Sequence, residues 1–184
     1  ASTVLADSFE DSANRAVHTI SVTGSTHTDT TIKKIGTASG QFNGTGDYLT
    51  VPDSDDWDFG TGDFTVEGWV YINTVDAVHR YVFDAENGSG VRFCWGLDDT
   101  TNGNYYGSGT ANDAAWQPTT GSWVHFALVR DNGTSRFYYS GEQKYSVANT
   151  TDLSGTWTFR IGNRYSTHST SYYDGYIDEF RVSD

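Results

Sequence analysis

Phe64-Thr65-Val66-Glu67-Gly68-Trp69-Val70-Tyr71-Ile72 decides the fold class. Phe64, Val66, Val70 and Ile72 share one side with Gly68, and Thr65, Glu67, Trp69 and Tyr71 share the other. A period of two is that of a β-strand, because successive side chains leave opposite faces of the pleat. The first side suits a core. The second mixes polar and aromatic groups, as expected of a sheet surface that is partly covered or touches a ligand. A second stretch, Trp123 to Arg130, is apolar on both faces, with Val124, Phe126 and Leu128 against Trp123, Ala127 and Val129. That is the pattern of a central strand.

Further β-branched and aromatic runs lie outward from these two: Val17 to Val22, Tyr48 to Val51, Arg80 to Asp84, Val91 to Leu97, Arg136 to Tyr139, Trp157 to Ile161 and Tyr176 to Val182. Turn signals separate them, among them Gly44-Thr45-Gly46-Asp47, Asn87-Gly88, Asn102-Gly103, Asp131-Asn132-Gly133, Ser140-Gly141 and Asp174-Gly175. Helical periodicity is nearly absent. With no helices to form crossovers, the strands must pair antiparallel, which predicts an all-β sandwich or jelly roll.

The 184 residues, with 20 Gly and 2 Pro, have the size and make-up of one domain spanning 1–184. A chain of this length buries roughly 70% of the surface its unfolded form exposes, so it needs no disulfides. Cys94, the single cysteine, agrees with this. A formal net charge of -13 repels phosphate backbones and anionic membrane surfaces, so no nucleic-acid partner is expected. No apolar run is long enough to span a bilayer, and no secretory leader is recognisable, so membrane insertion is not expected. The chain begins at Ala1 without Met and ends at Asp184 straight after a strand, as a domain cut from a longer or processed protein would.

Five segments resemble laminin-G-like domains of the concanavalin A-like lectin/glucanase superfamily. Gly40-Gln41-Phe42-Asn43-Gly44-Thr45-Gly46-Asp47-Tyr48-Leu49 is similar to that family's F-D/N-G-x-x-D-Y opening, and Asp63 to Val70 to its F-T-I-E-x-W-V strand. Trp123-Val124-His125-Phe126-Ala127-Leu128-Val129-Arg130 resembles W-x-H-I-A-x-V-R. Phe137 to Gly141 resembles the x-Y-x-N-G hairpin with Ser140 in place of Asn or Asp, and Gly175 to Val182 the closing G-x-I-D-E-V-R-I strand. The Thr-rich start and Asp58 to Thr65 are most similar to versions in phage tail fibres, virion proteins and bacterial surface proteins. The resemblance therefore implies a jelly roll of extracellular, cell-surface or virion location. Members of the superfamily include lectins, adhesion modules, hydrolases and spacers, so fold does not settle function.

Glycoside hydrolysis needs two carboxylates facing the scissile bond, which the glucanase members place as Glu-x-Asp-x-x-Glu or Glu-x-Asp-x-Glu on one strand. Glu10, Glu67, Glu86, Glu142 and Glu179 all lack an Asp two residues on, so a non-catalytic module is expected. The five His residues show no metal-ligand spacing, and Cys94 reads as a packed thiol. Asp53, Asp55, Asp56 and Asp58 read as turn acids, because Trp57 falls where a calcium loop needs an oxygen. The sequons at Asn43, Asn87, Asn132 and Asn149 fit chance in a chain rich in Asn, Gly and Thr.

Alternation puts Asp178 on one face with Tyr176, Phe180 and Val182, so its carboxylate is expected to point inward, where it must be paired, hydrogen-bonded or bound to a cation. The resemblance implies a structural Ca²⁺ held by Asp178 together with the regions around Glu10-Asp11 and Gly44. The alternative is that Asp178 simply accepts backbone N–H bonds. For a ligand surface, the candidates are a first loop carrying Asp98, Asp99, Asn102, Asn104, Tyr105, Tyr106 and Trp116, and a second carrying Arg164, Tyr165 and Tyr172. Rings stack on the CH faces of sugars, and amides, carboxylates and guanidinium bond their hydroxyls. The competing reading is that these aromatics close the sandwich edge. If the two loops come together, binding is favoured. The function expected is glycan or polysaccharide recognition. The alternatives are a structural or protein-contact module, which a homo-oligomer of the parent protein would favour, and a glycoside hydrolase.

Overall fold

The computed structural model describes residues 18–76, 78–87, 92–98, 102–107, 110–114, 116–164 and 170–184. In chain order the strands are β1 (Ser21–Thr23), β2 (His27–Asp29), β3 (Ser39–Asn43), β4 (Tyr48–Val51), β5 (Phe64–Ile72), β6 (Arg80–Glu86), β7 (Arg92–Asp98), β8 (Asn102–Gly107), β9 (Thr110–Ala114), β10 (Trp123–Asp131), β11 (Thr134–Tyr139), β12 (Glu142–Ala148), β13 (Thr158–Ile161) and β14 (Asp174–Ser183). They form two seven-stranded sheets, a front sheet β1-β4-β13-β6-β7-β8-β9 and a back sheet β12-β11-β10-β5-β14-β3-β2. All named strand pairs are antiparallel. The fold is the expected concanavalin A-like β-sandwich.

β5 and β10 lie at the centre of the back sheet, and the burial of β5 alternates strictly along its length. Val66, Val70 and Ile72 meet Phe83, Phe93, Trp95 and Phe159 from the front sheet in one apolar core. Ring pairs join the two sheets as well. Phe83 stacks on Phe159 and Phe126 at 6.0 Å, and Trp95 lies 4.7 Å from Phe126. Arg130, at the end of the apolar run of β10, is fully buried. Its guanidinium donates to the carbonyls of Gly62 (2.6 Å), Gly60 (2.8 Å) and Thr151 (2.8 Å), tying two loops to the end of the sandwich.

In β14, Asp178 pairs with Trp69 while Arg181 pairs with Glu67, so Glu179 and Phe180 together oppose Gly68. This is a β-bulge, with Glu179 at φ +50°. Gly68 makes room for it, since a Cβ there would stand 3.2 Å from both the Phe180 Cα and the Phe126 ring. The bulge flips the alternation. Ile177, Phe180 and Val182 pack with the core, whereas Asp178 shares the outer face with Trp69. The expected inward carboxylate is thereby corrected, because simple alternation does not carry across the inserted residue.

Candidate functional site

The outer side of the front sheet gathers the polar and aromatic residues that the core excludes. One ladder row runs Thr50–Arg160–Asp84–Cys94–Tyr106, and a neighbouring row runs Tyr81–Gly96–Asn104–Asp113. The residues between them along the strands, Phe83, Trp95 and Phe159, face the core. Asp84 is fully buried, and Glu86 lies two residues along the same face of β6. Gly96 lets the Tyr81 ring rest flat on the sheet, since a Cβ at Gly96 would meet that ring at 3.0 Å.

Cations and rings interleave over these rows. The Arg160 guanidinium sits 4.6 Å from the Tyr48 ring centroid, and Tyr48 stacks with Tyr172 at 6.4 Å and 25°. Arg164 lies 5.4 Å from the Tyr81 ring, and its Nη1 donates to the Tyr81 hydroxyl at 3.4 Å. The backbone that carries Tyr172 is anchored by Arg80, whose Nη1 donates to the Tyr172 carbonyl at 3.0 Å. Arg80 is itself fixed by Asp76 (3.0 and 2.7 Å), and these bonds hold the Asp76 carboxyl below its ordinary range. Asn163 is 2% exposed, and its Nδ2 has no hydrogen-bond partner among the described residues. Planar rings beside amide, guanidinium and carboxylate groups are the chemistry that recognises a polyhydroxylated ring.

Of the residues singled out from sequence, Arg164 and Tyr172 stand in this site. The backbone of Asp98, Asn102, Asn104 and Tyr106 lies in β7 and β8, where Asp98 pairs with Asn102 and Tyr106 with Cys94. Tyr105 pairs with Trp95 in the same ladder. The stretch expected as a long loop is therefore largely two paired strands. Its Asn and Gly content imitates a loop, but the backbone closes a ladder with β7 and β9. The ladder row that starts at Tyr81, the residue beside Arg164, continues through Gly96 to Asn104. Trp116 does not join them. It packs 4.4 Å from Tyr139 and 6.0 Å from Phe137, both core residues, and so covers the sandwich edge. Asp99 and Tyr165 lie outside the described residues. Sequence reasoning missed Tyr48, Tyr81, Asp84, Glu86 and Arg160. Asp84-x-Glu86 in β6 and Arg160 inside an apolar run were the available signals, since a charge alternating with core residues must face outward.

Of the residues expected to hold Ca²⁺, the two that are described, Asp178 and Gly44, lie apart. Asp178 Oδ2 accepts the backbone N–H groups of Lys34 (2.8 Å) and Ile35 (3.0 Å), while its buried Oδ1 has no hydrogen-bond partner among the described residues. Gly44 lies beside Asp174 and the Arg80 guanidinium, four residues away along β14, or roughly 13 Å at the rise of a strand. Glu10 and Asp11 fall outside the described residues. A cation shared by Asp178 and Gly44 does not fit this geometry. Among the described residues, no group of three or more His, Cys, Asp or Glu could hold a metal ion.

The chain belongs to a laminin-G family of the concanavalin A-like lectin/glucanases superfamily, whose model matches residues 43–184. No curated protein matches it. Among solved structures it is similar to domain 4 of AbnA, an extracellular arabinanase from Geobacillus stearothermophilus, in complex with arabinotriose, at 24% identity and TM-score 0.71 over 94% of this chain and 85% of that one. It is also similar to the botulinum neurotoxin serotype D binding domain (13% identity, TM-score 0.65, 91% of this chain and 43% of that one). The LG4-5 domains of the mouse laminin alpha1 chain match at 10% identity and TM-score 0.58, over 92% of this chain and 42% of that one. The chain thus spans less than half the length of these last two. Among the described residues no helix is long and apolar enough to cross a membrane.

Proposed function

We propose that this chain is a non-catalytic carbohydrate-recognition module of an extracellular protein, and that it binds glycan on the outer face of the front sheet. The observation that carries the reading is the meeting of Tyr48, Tyr81, Tyr172, Arg160 and Arg164 on that face. The likeness to an arabinanase domain in complex with arabinotriose makes arabino-oligosaccharides the first ligands to try. Tyr48 and Tyr172 would supply ring faces, and Arg164 would donate to hydroxyls. Asp84, across the ladder from Arg160 and fully buried, would orient that guanidinium, and its burial disfavours a role in protonating a glycosidic oxygen.

The test is a glycan array with the intact chain, including arabinan fragments, repeated with Arg164→Ala and Tyr172→Ala. Saturable binding weakened at least about tenfold by each variant, with no reducing ends released, is expected. Binding indifferent to both variants would move the site elsewhere. Silence across the array would favour a protein-contact module.

A further inference from the structure

The back sheet has an outer face of its own, and its composition is unusual for a solvated side of an antiparallel sheet. Trp69 and Tyr71 of β5 and Trp123 and His125 of β10 are half-buried there, outside the core. Register aligns Gln41, Tyr176, Tyr71 and Trp123 in one row across four neighbouring strands, and Trp69 with His125 in the next. Tyr71 meets Tyr176 and Trp123 at 5.7 Å each, with interplanar angles of 85° and 67°. Trp69 meets His125 at 5.2 Å and 68°. Such edge-to-face contacts lock the rings in place, so little conformational freedom remains to be lost when a ligand lies on them. The polar groups sit at the margin. Gln41 Nε2 donates to the Tyr176 hydroxyl at 3.4 Å, and Glu67 lies between His125 (3.4 Å) and Arg181 (3.8 Å).

From this face we infer a second carbohydrate-binding surface, on the opposite side of the sandwich from the first, that takes an extended, neutral polysaccharide chain. The charge pattern selects neutrality. Glu67 is matched by His125 and Arg181, and the exposed Lys34 ammonium, 4.1 Å from the Trp69 ring centroid, keeps its water, so a neutral ligand along the Tyr176–Tyr71–Trp123 row strips water from no uncompensated charge. A polyanion would meet the field of a chain with net charge -13. A row of rings stepped across a pleated sheet suits an extended chain of sugar rings, whereas the front face, with buried carboxylates and guanidinium groups, suits a short oligosaccharide.

The experiment is a set of depletion isotherms of the intact chain on microcrystalline cellulose, chitin and insoluble mannan. Wild type, Trp123→Ala, Tyr71→Ala, Trp123→Phe and Arg164→Ala are compared, each checked for a native melting transition and for monomer size by sedimentation. Retention on at least one matrix is expected, reduced at least about tenfold by Trp123→Ala and Tyr71→Ala and largely kept by Trp123→Phe. Arg164→Ala, which alters only the front face, should leave retention intact; loss of its array binding alone would separate the two surfaces. No retention on any matrix, retention indifferent to Trp123→Ala and Tyr71→Ala, or a dimer that Trp123→Ala dissociates would each overturn the inference.

Discussion

Replacing Arg130 with Met tests how the end of the sandwich is held. The guanidinium is fully buried and donates to Gly62, Gly60 and Thr151 at 2.6, 2.8 and 2.8 Å, with a longer contact of 3.5 Å to Phe59. Met fills much of the same volume beside Phe64 but donates nothing, so the carbonyls of Gly62 and Thr151 lose their donor, whereas that of Gly60 keeps the Leu153 N–H at 2.7 Å. Each buried acceptor left unmatched costs about 1–3 kcal/mol, and water entering the loop end recovers part of this. A net loss of about 3–5 kcal/mol follows, the usual scale for breaking a buried charged network. For a domain of this size, that lowers the melting temperature by about 6–20 °C. Arg130→Lys should fall between, since one ammonium reaches fewer carbonyls than a planar fork. Urea and thermal unfolding followed by circular dichroism measure the effect, with Arg136→Met, a half-buried surface partner of Asp131, as the reference. A change below about 1 kcal/mol in Arg130→Met would refute the reasoning, because it would mean that the carbonyls are satisfied without the side chain.

Other outcomes follow from single residues. Gly175 has φ +151°, and a Cβ there would stand 2.1 Å from the Tyr71 carbonyl oxygen, so Gly175→Ala should abolish soluble folded protein, read from expression and gel filtration. Asp178→Ala leaves two backbone N–H groups unmatched and should destabilise by about 2–4 kcal/mol in urea melts, equally with and without EDTA. Burial pushes the Tyr139 hydroxyl up to about 12. Its folded value is above its unfolded one, so the stability it contributes is whole below pH 10 and lost as pH rises to 12. About 2–3 kcal/mol should disappear over that window in alkaline unfolding, and Tyr139→Phe should flatten the loss.

The strands whose side chains alternate between core and solvent were readable from the residues alone. Phe64–Ile72 appears with the bounds read from its alternation, and Trp123–Asp131 differs from its reading by one residue. β8 and β12 were not readable, because Asn-Gly-Asn-Tyr-Tyr-Gly and Glu-Gln-Lys-Tyr-Ser-Val-Ala carry little apolar alternation and are strands by virtue of neighbouring ladders. The reversal at Asp178 came from a bulge that a period of two cannot reveal, although Gly68 on the facing strand is its trace. Only the smaller part of the candidate site was legible, for a similar reason. Arg164 and Tyr172 stood out among turn residues, whereas Tyr48, Tyr81 and Arg160 hid inside strands where aromatic and long side chains read as core. Trp116 misled in the opposite sense, since a large ring in a polar stretch resembles a ligand platform until Tyr139 is seen beneath it.

The most direct test of glycan recognition by the front sheet is a ¹H–¹⁵N chemical-shift titration of the intact chain with the tightest-binding oligosaccharide from the array. Saturable shifts centred on Tyr48, Tyr81, Arg160, Arg164 and Tyr172, with the back-sheet amides of Tyr71 and Trp123 unmoved, are the predicted result. Shifts confined to other surfaces, or none at saturating sugar, would contradict it.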